Sequence, residues 1–239
     1  MVPRVPSAHP EFHHRDIQGG AARAAVFGIS DGLVSNMGLI LGVAGADPAP
    51  AVVRLAGLAG LVSGAISMAA GEYNSMRVQS ELLQRELSLE ERELAHRPEH
   101  ETAELAGIYQ QRGVAPGEAR RMAEAMMRDP GVALETHARE ELGIDPTQLG
   151  SPLGAAASSL AAFSVGAVLP LAPWFLGAGT AATVASLVLG TVAAIVVGIL
   201  VGQSTGRPLG RAALRQVAFT LVPAVVTFAI GSAVGVGTA

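Results

Sequence analysis

The chain has 239 residues, 50% of them hydrophobic and 15% charged, with a mean hydropathy of +0.41. That balance belongs to a membrane protein rather than a soluble domain, and the lack of cysteine excludes disulfides, thiolate zinc sites and iron–sulfur clusters. The formal net charge of −4 hides a segregation, because 15 of the 20 acidic residues lie between Arg77 and Asp145, a stretch with no basic patch and little aromatic character, which excludes nucleic acid as a partner.

Taken in chain order, residues 1–20 form a polar tail that does not read as a secretory signal peptide. His9, His13 and His14 offer imidazoles there, in what reads as an unstructured surface end. The first apolar block, about Ala24 to Ala46, is long enough for a membrane helix and stops at Asp47-Pro48-Ala49-Pro50. It contains Asp31, an acid at membrane depth, where a charge costs at least about 2.5 kcal/mol and defaults to a functional role. Ser35 lies four residues on, on the same helix face. The two predict an oxygen site for a divalent ion, with a buried acid serving packing as the alternative.

The second block, about Val52 to Glu72, has no stop signal. Helix-forming residues continue through Tyr73 to Glu86, which predicts one long helix leaving the bilayer. Met68, Glu72 and Met76 recur every four residues at its end. A thioether beside a carboxylate suits a borderline ion such as Fe²⁺; a Met stripe alone more often packs.

The acidic stretch offers three further helices, about Glu99–Arg112, Pro116–Arg128 and Gly131–Leu142, punctuated by Pro and Gly. Glu90 and Glu93 sit three apart on the extension of the second block, Glu101 and Glu104 three apart on the next helix, and Glu141 on the last, four residues after His137. Glutamates paired in this way from separate helices are how bundles build carboxylate metal sites. A solvated acidic face with partners such as Glu81–Arg85 is the alternative for any one of them, and the reading for Glu86, Glu91, Glu118 and Glu124. Met122, Met126 and Met127 read as a packing stripe.

After Gly150-Ser151-Pro152 come three more spans, about Leu153–Leu176, Thr180–Gln203 and Leu214–Val236. Arginines before the first span, in the acidic stretch, and at Arg207, Arg211 and Arg215 fall on one side, so the N-terminus and the acidic module are expected to be cytoplasmic. Glycines four apart (Gly28 and Gly32, Gly38 and Gly42, Gly60 and Gly64, Gly198 and Gly202) predict close helix packing, with a homodimer seam through the first span as the sharper version. No G-x-x-x-x-G-K-[ST] loop and no HExxH or GxSxG motif occurs. Any transport by this chain would therefore have to run on an ion gradient, most naturally of protons, and the chain is not expected to be an enzyme or to hold a prosthetic group.

The segments His14-Arg15-Asp16, Ala25 to Asn36, Ser67 to Tyr73 and Glu140-Glu141-Leu142-Gly143 resemble the vacuolar iron transporter family over most of the chain. The resemblance implies an all-α membrane protein of five transmembrane helices, with a cytosolic helical metal-binding domain inserted between helices 2 and 3. Residues 1–20 would be the tail, 21–76 the first two spans, 77–147 the domain and 148–239 the last three spans. It implies a homodimer in the lipid bilayer that exchanges cytosolic Fe²⁺ or Mn²⁺ for protons, an antiporter. Asp31 and Met68 would be pore ligands, and Glu90, Glu93, Glu101, Glu104 and Glu141 the domain's carboxylates. Glu72 and His137 join the candidate metal ligands from the residue reading. Departures are His137 and Ala138, where better-known members carry a Met pair, and Gly20 and Gly60, where they carry acids. A bacterial-type member in the plasma membrane is expected, or a vacuolar one in a eukaryote. The rivals are a ferroxidase using the glutamates as a di-iron site, disfavoured by the lack of two Glu-x-x-His pairs, and a metal sensor with a membrane anchor.

Overall fold

The computed structural model describes residues 20–146 and 150–236, all of whose regular structure is helical. The histidine tail lies outside the described residues. In chain order the helices are α1 (Gly20–Gly45), α2 (Pro50–His96), α3 (Pro98–Gln111), α4 (Pro116–Met126), α5 (Pro130–Glu140), α6 (Pro152–Leu171), α7 (Pro173–Leu176), α8 (Gly179–Thr205) and α9 (Leu209–Val236). Five of them, α1, α2, α6, α8 and α9, are long and apolar enough to cross a membrane, and the protein is an integral membrane protein.

The predicted continuous second helix is present. α2 runs 47 residues, on the order of 70 Å at 1.5 Å per residue, and passes residues 76–77 without a break. It begins with Pro50 at its first turn, where a missing N–H costs nothing, and ends at Arg97-Pro98. The third span differs from expectation: α6 stops at Leu171 and a four-residue α7 follows, because Pro173 supplies no N–H to continue the ladder. The Pro170 carbonyl accepts the Ser186 hydroxyl at 2.7 Å, tying α6 to α8.

α1 is the centre of the bundle and packs on α6, α9, α2 and α8. The glycine pairs make this possible. A Cβ on Gly28 would come within 2.8 Å of the Ser159 carbonyl, and one on Gly32 would collide with Phe163 backbone. Gly42 is filled by Thr227 of α9, and Gly198 by Ala212 and Ala213. The Gly28/Gly32 stripe is therefore used within the chain, packing α1 against α6. Thr227 Oγ1 donates to the Gly38 carbonyl at 2.7 Å, fastening α9 to α1.

The hydrophilic helices have their own small core of Leu105, Ala106, Tyr109, Ala119 and Ala123, with Met122 and Met126 packed on it as a methionine stripe should be. Asp129 caps α5 by accepting from the N–H groups of Gly131 and Val132. Arg112 bridges α3 to α5 through Glu140. Glu81 pairs with Arg77 at 2.6 Å, not with Arg85 as the spacing also allowed.

Candidate metal sites in the hydrophilic helices and the span pocket

Two groups of potential ligands emerge, one on the helices beyond α2's apolar part and one among the spans. In the first, Glu90 of α2, Glu101 of α3, His137 of α5 and Glu141 at the end of α5 each place a ligand atom within 4.8 Å of the others'. His137 Nδ1 lies 3.0 Å from Glu90 Oε1 and 3.4 Å from Glu141 Oε2. Glu90 and Glu101 are each 3% exposed and His137 is fully buried. Glu90 Oε1 is close to the imidazole but accepts no aligned hydrogen bond, and His137 Nε2 has no partner either.

The arrangement is costly without a cation. Burial, followed by the charges of Glu141, Glu101, Glu93 and Glu104, pushes the Glu90 carboxyl from 4.5 to about 7. Among the described residues, the ion pairs of Glu90, Glu101 and Glu141 are with histidine and none is with an arginine. A divalent ion or a proton is what such a cluster favours.

Among the predicted module ligands, the fold brings Glu90, Glu101, His137 and Glu141 together. Glu104 joins a second trio with His100 and the shared Glu101, at 3.6 and 3.3 Å from His100 Nδ1. Glu93 stands outside both groups and acts on Glu90 through its charge. His100 had no advance signal beyond lying next to Glu101 in the chain.

The second group lines a pocket of about 330 Å³ between α1, α2 and α6. α1 contributes Asp31, Ser35 and Asn36; α2 contributes Gly60, Ser63, Ser67 and Met68; Phe163 of α6 closes one wall. Asp31 and Met68 thus share one cavity, and Asp31 faces polar neighbours. Ser35 Oγ donates to the Asp31 carbonyl at 2.6 Å, which leaves the hydroxyl's lone pairs available.

The Met68–Glu72–Met76 row does not act as a unit. Four residues advance a helix by about 40° past a full turn, so the row drifts round α2. Met68 is in the pocket, while Glu72 lies a turn beyond, its Oε2 3.7 Å from an Arg23 guanidinium nitrogen. Met76 is buried against Ala24 and Ala155 and packs. Ser63 and Ser67 also line the pocket and are not among the predicted ligands. The signal was there in the small and polar row 60, 63, 64, 67, 68, which at i, i+3, i+4, i+7 spacing marks one face of α2.

Comparison with known proteins places this geometry. The VIT family model matches residues 22–232. The chain belongs to the VIT family. Vacuolar iron transporter 1 of Eucalyptus grandis is 32% identical over 187 residues, covering 78% of this chain and 74% of that protein. Vacuolar iron transporter 1 of Arabidopsis thaliana is 33% identical over 168 residues, covering 70% and 66%. The vacuolar iron transporter of Acanthamoeba castellanii is 38% identical over 160 residues, covering 66% of this chain and 58% of the relative. These VIT relatives are plant and amoebal, so the expectation of a bacterial-type member finds no support among them.

Proposed function

We propose that this VIT-family chain is an iron transporter, carrying Fe²⁺, and Mn²⁺ by the same oxygen-rich chemistry, out of the cytosol in exchange for protons. The observation that carries the reading is the shared pocket of Asp31 and Met68 inside the spans. The relatives' names supply iron. Carboxylate, hydroxyl and thioether ligands accept Fe²⁺ and Mn²⁺ alike.

In this reading α3, α4, α5 and the end of α2 form a cytosolic metal-binding domain inserted between the second and third spans. It collects ions at Glu90, Glu101, His137 and Glu141, with Glu93 and Glu104 adding field. Ions pass Glu72 at the pocket mouth and reach Asp31 and Met68. The placement of arginines supports a cytosolic domain. Protons compete with metal for the same carboxylates, which supplies a basis for exchange. The working unit is a dimer in a vacuolar or plasma membrane.

The test is metal uptake into vesicles holding the purified chain under an imposed pH gradient. Wild type is expected to move Fe²⁺ or Mn²⁺, and Asp31→Ala to abolish flux while keeping metal binding by the domain. An Asp31→Ala variant that transports like wild type overturns the pocket assignment.

A further inference from the structure

One buried polar atom of the span pocket has no partner and no role in the account above. Asn36 of α1 is 1% exposed and lines the pocket with Asp31. Its Nδ2 donates to the Ala167 carbonyl of α6 at 2.7 Å. A carbonyl cannot donate, so the amide nitrogen must face Ala167 and the amide oxygen must face the other way. That oxygen, Oδ1, is buried and unpartnered. It faces Gly60 across the cavity wall, where a Cβ would come within 2.7 Å of it. The absence of a side chain at position 60 leaves no Cβ pressed against this oxygen.

An amide oxygen left without a partner in such surroundings carries the full desolvation penalty of the buried group with no bond to offset it. A tie between α1 and α6 alone does not need that oxygen, since a serine or threonine hydroxyl makes the same bond to a carbonyl without stranding an acceptor. We propose that the Asn36 carboxamide oxygen is a neutral ligand to the divalent cation in the span pocket, joining Asp31 and Met68. The inference rests on the pocket being the cation's route, as proposed above. Carboxamide oxygens are ordinary ligands for hard and borderline divalent ions. A neutral ligand also helps strip hydration water without adding negative charge, which keeps the ion bound weakly enough to leave again.

The experiment compares wild type, Asn36→Ala and Asn36→Asp in vesicles, with Mn²⁺ and Co²⁺ as separate probes and thermal melting of each purified protein alongside. Both substitutions remove the amide donor, but only alanine removes the oxygen. Alanine is expected to raise the half-saturating Mn²⁺ concentration about tenfold, the worth of about one ligand bond. It should raise that of Co²⁺ only about threefold, since Co²⁺ leans more on the Met68 thioether. Aspartate is expected to lower half-saturation below wild type and to slow turnover. Shifts in the same direction for both variants, or no shift with alanine, overturn the proposal and leave Asn36 as a helix tie. If Asn36→Asp does not fold, the Mn²⁺-to-Co²⁺ split with alanine decides, and equal shifts overturn it. Folded wild type that moves neither ion refutes the pocket route itself, a separate failure.

Discussion

Replacing Glu90 by glutamine in the metal-free protein tests the electrostatics of the buried cluster. The carboxyl titrates near 7 in the folded protein against 4.5 ordinarily, first because it is buried and then because Glu141, Glu101, Glu93 and Glu104 surround it. Between those two values the folded protein keeps a proton that the unfolded chain has released. Stability therefore falls as pH rises through this window, and the penalty is complete above about 7. At full value the shift corresponds to about 3 kcal/mol. Solvent reaches the cluster through Glu141, whose side chain is 30% exposed, and brings the figure to roughly 1–2 kcal/mol. Glutamine keeps the shape and never ionises. In chelator, Glu90→Gln should melt with wild type near pH 5 and about 2–8 °C above it at pH 8, measured by circular dichroism on the detergent-solubilised protein. A gap that fails to widen between the two pH values would show that the cluster is not held together against its own charge. Added Mn²⁺ should close the gap by raising wild type alone.

His137→Gln removes a fully buried imidazole from the same cluster and should weaken divalent-metal binding about tenfold or more by isothermal titration, with Glu124→Gln, on the exposed face of α4, leaving it unchanged. One turn beyond the pocket, Arg23→Gln removes the guanidinium 3.7 Å from Glu72 and should lower the half-saturating metal concentration about threefold in vesicle uptake, whereas Arg23→Lys should stay near wild type. Gly32→Ala drives a Cβ into Phe163 backbone and should cost more than about 2 kcal/mol, seen as lost folded protein in a thermal melt. Gly107→Ala, with nothing within 4 Å of the new carbon, should stabilise α3 by up to about 1 kcal/mol in the same assay.

Much of this protein was legible before any coordinates because the bilayer is a strict solvent. Span length, the continuous α2 and the stop at Asp47-Pro48 follow from hydropathy and from proline chemistry, both local properties. The acidic module and its helix boundaries were equally local, falling within about two residues of Pro and Gly punctuation. Asp31 and Met68 stood out as candidates because an acid and a thioether are conspicuous in apolar text, and packing brings both to one pocket. What stayed hidden was relative rotation. Spacing showed that Met68, Glu72 and Met76 recur, but only packing shows that they part company round α2, Met68 into the pocket, Glu72 to an ion pair with Arg23 and Met76 into the core. Likewise the glutamate pairs were visible, yet Glu93 falls outside the cluster and His100 enters a second one, because small differences in helix azimuth decide which carboxylate turns inward. The unpartnered oxygen of Asn36 is the extreme case. Its meaning depends on a carbonyl 131 residues away and on the missing side chain of Gly60, and no local pattern encodes a three-body contact.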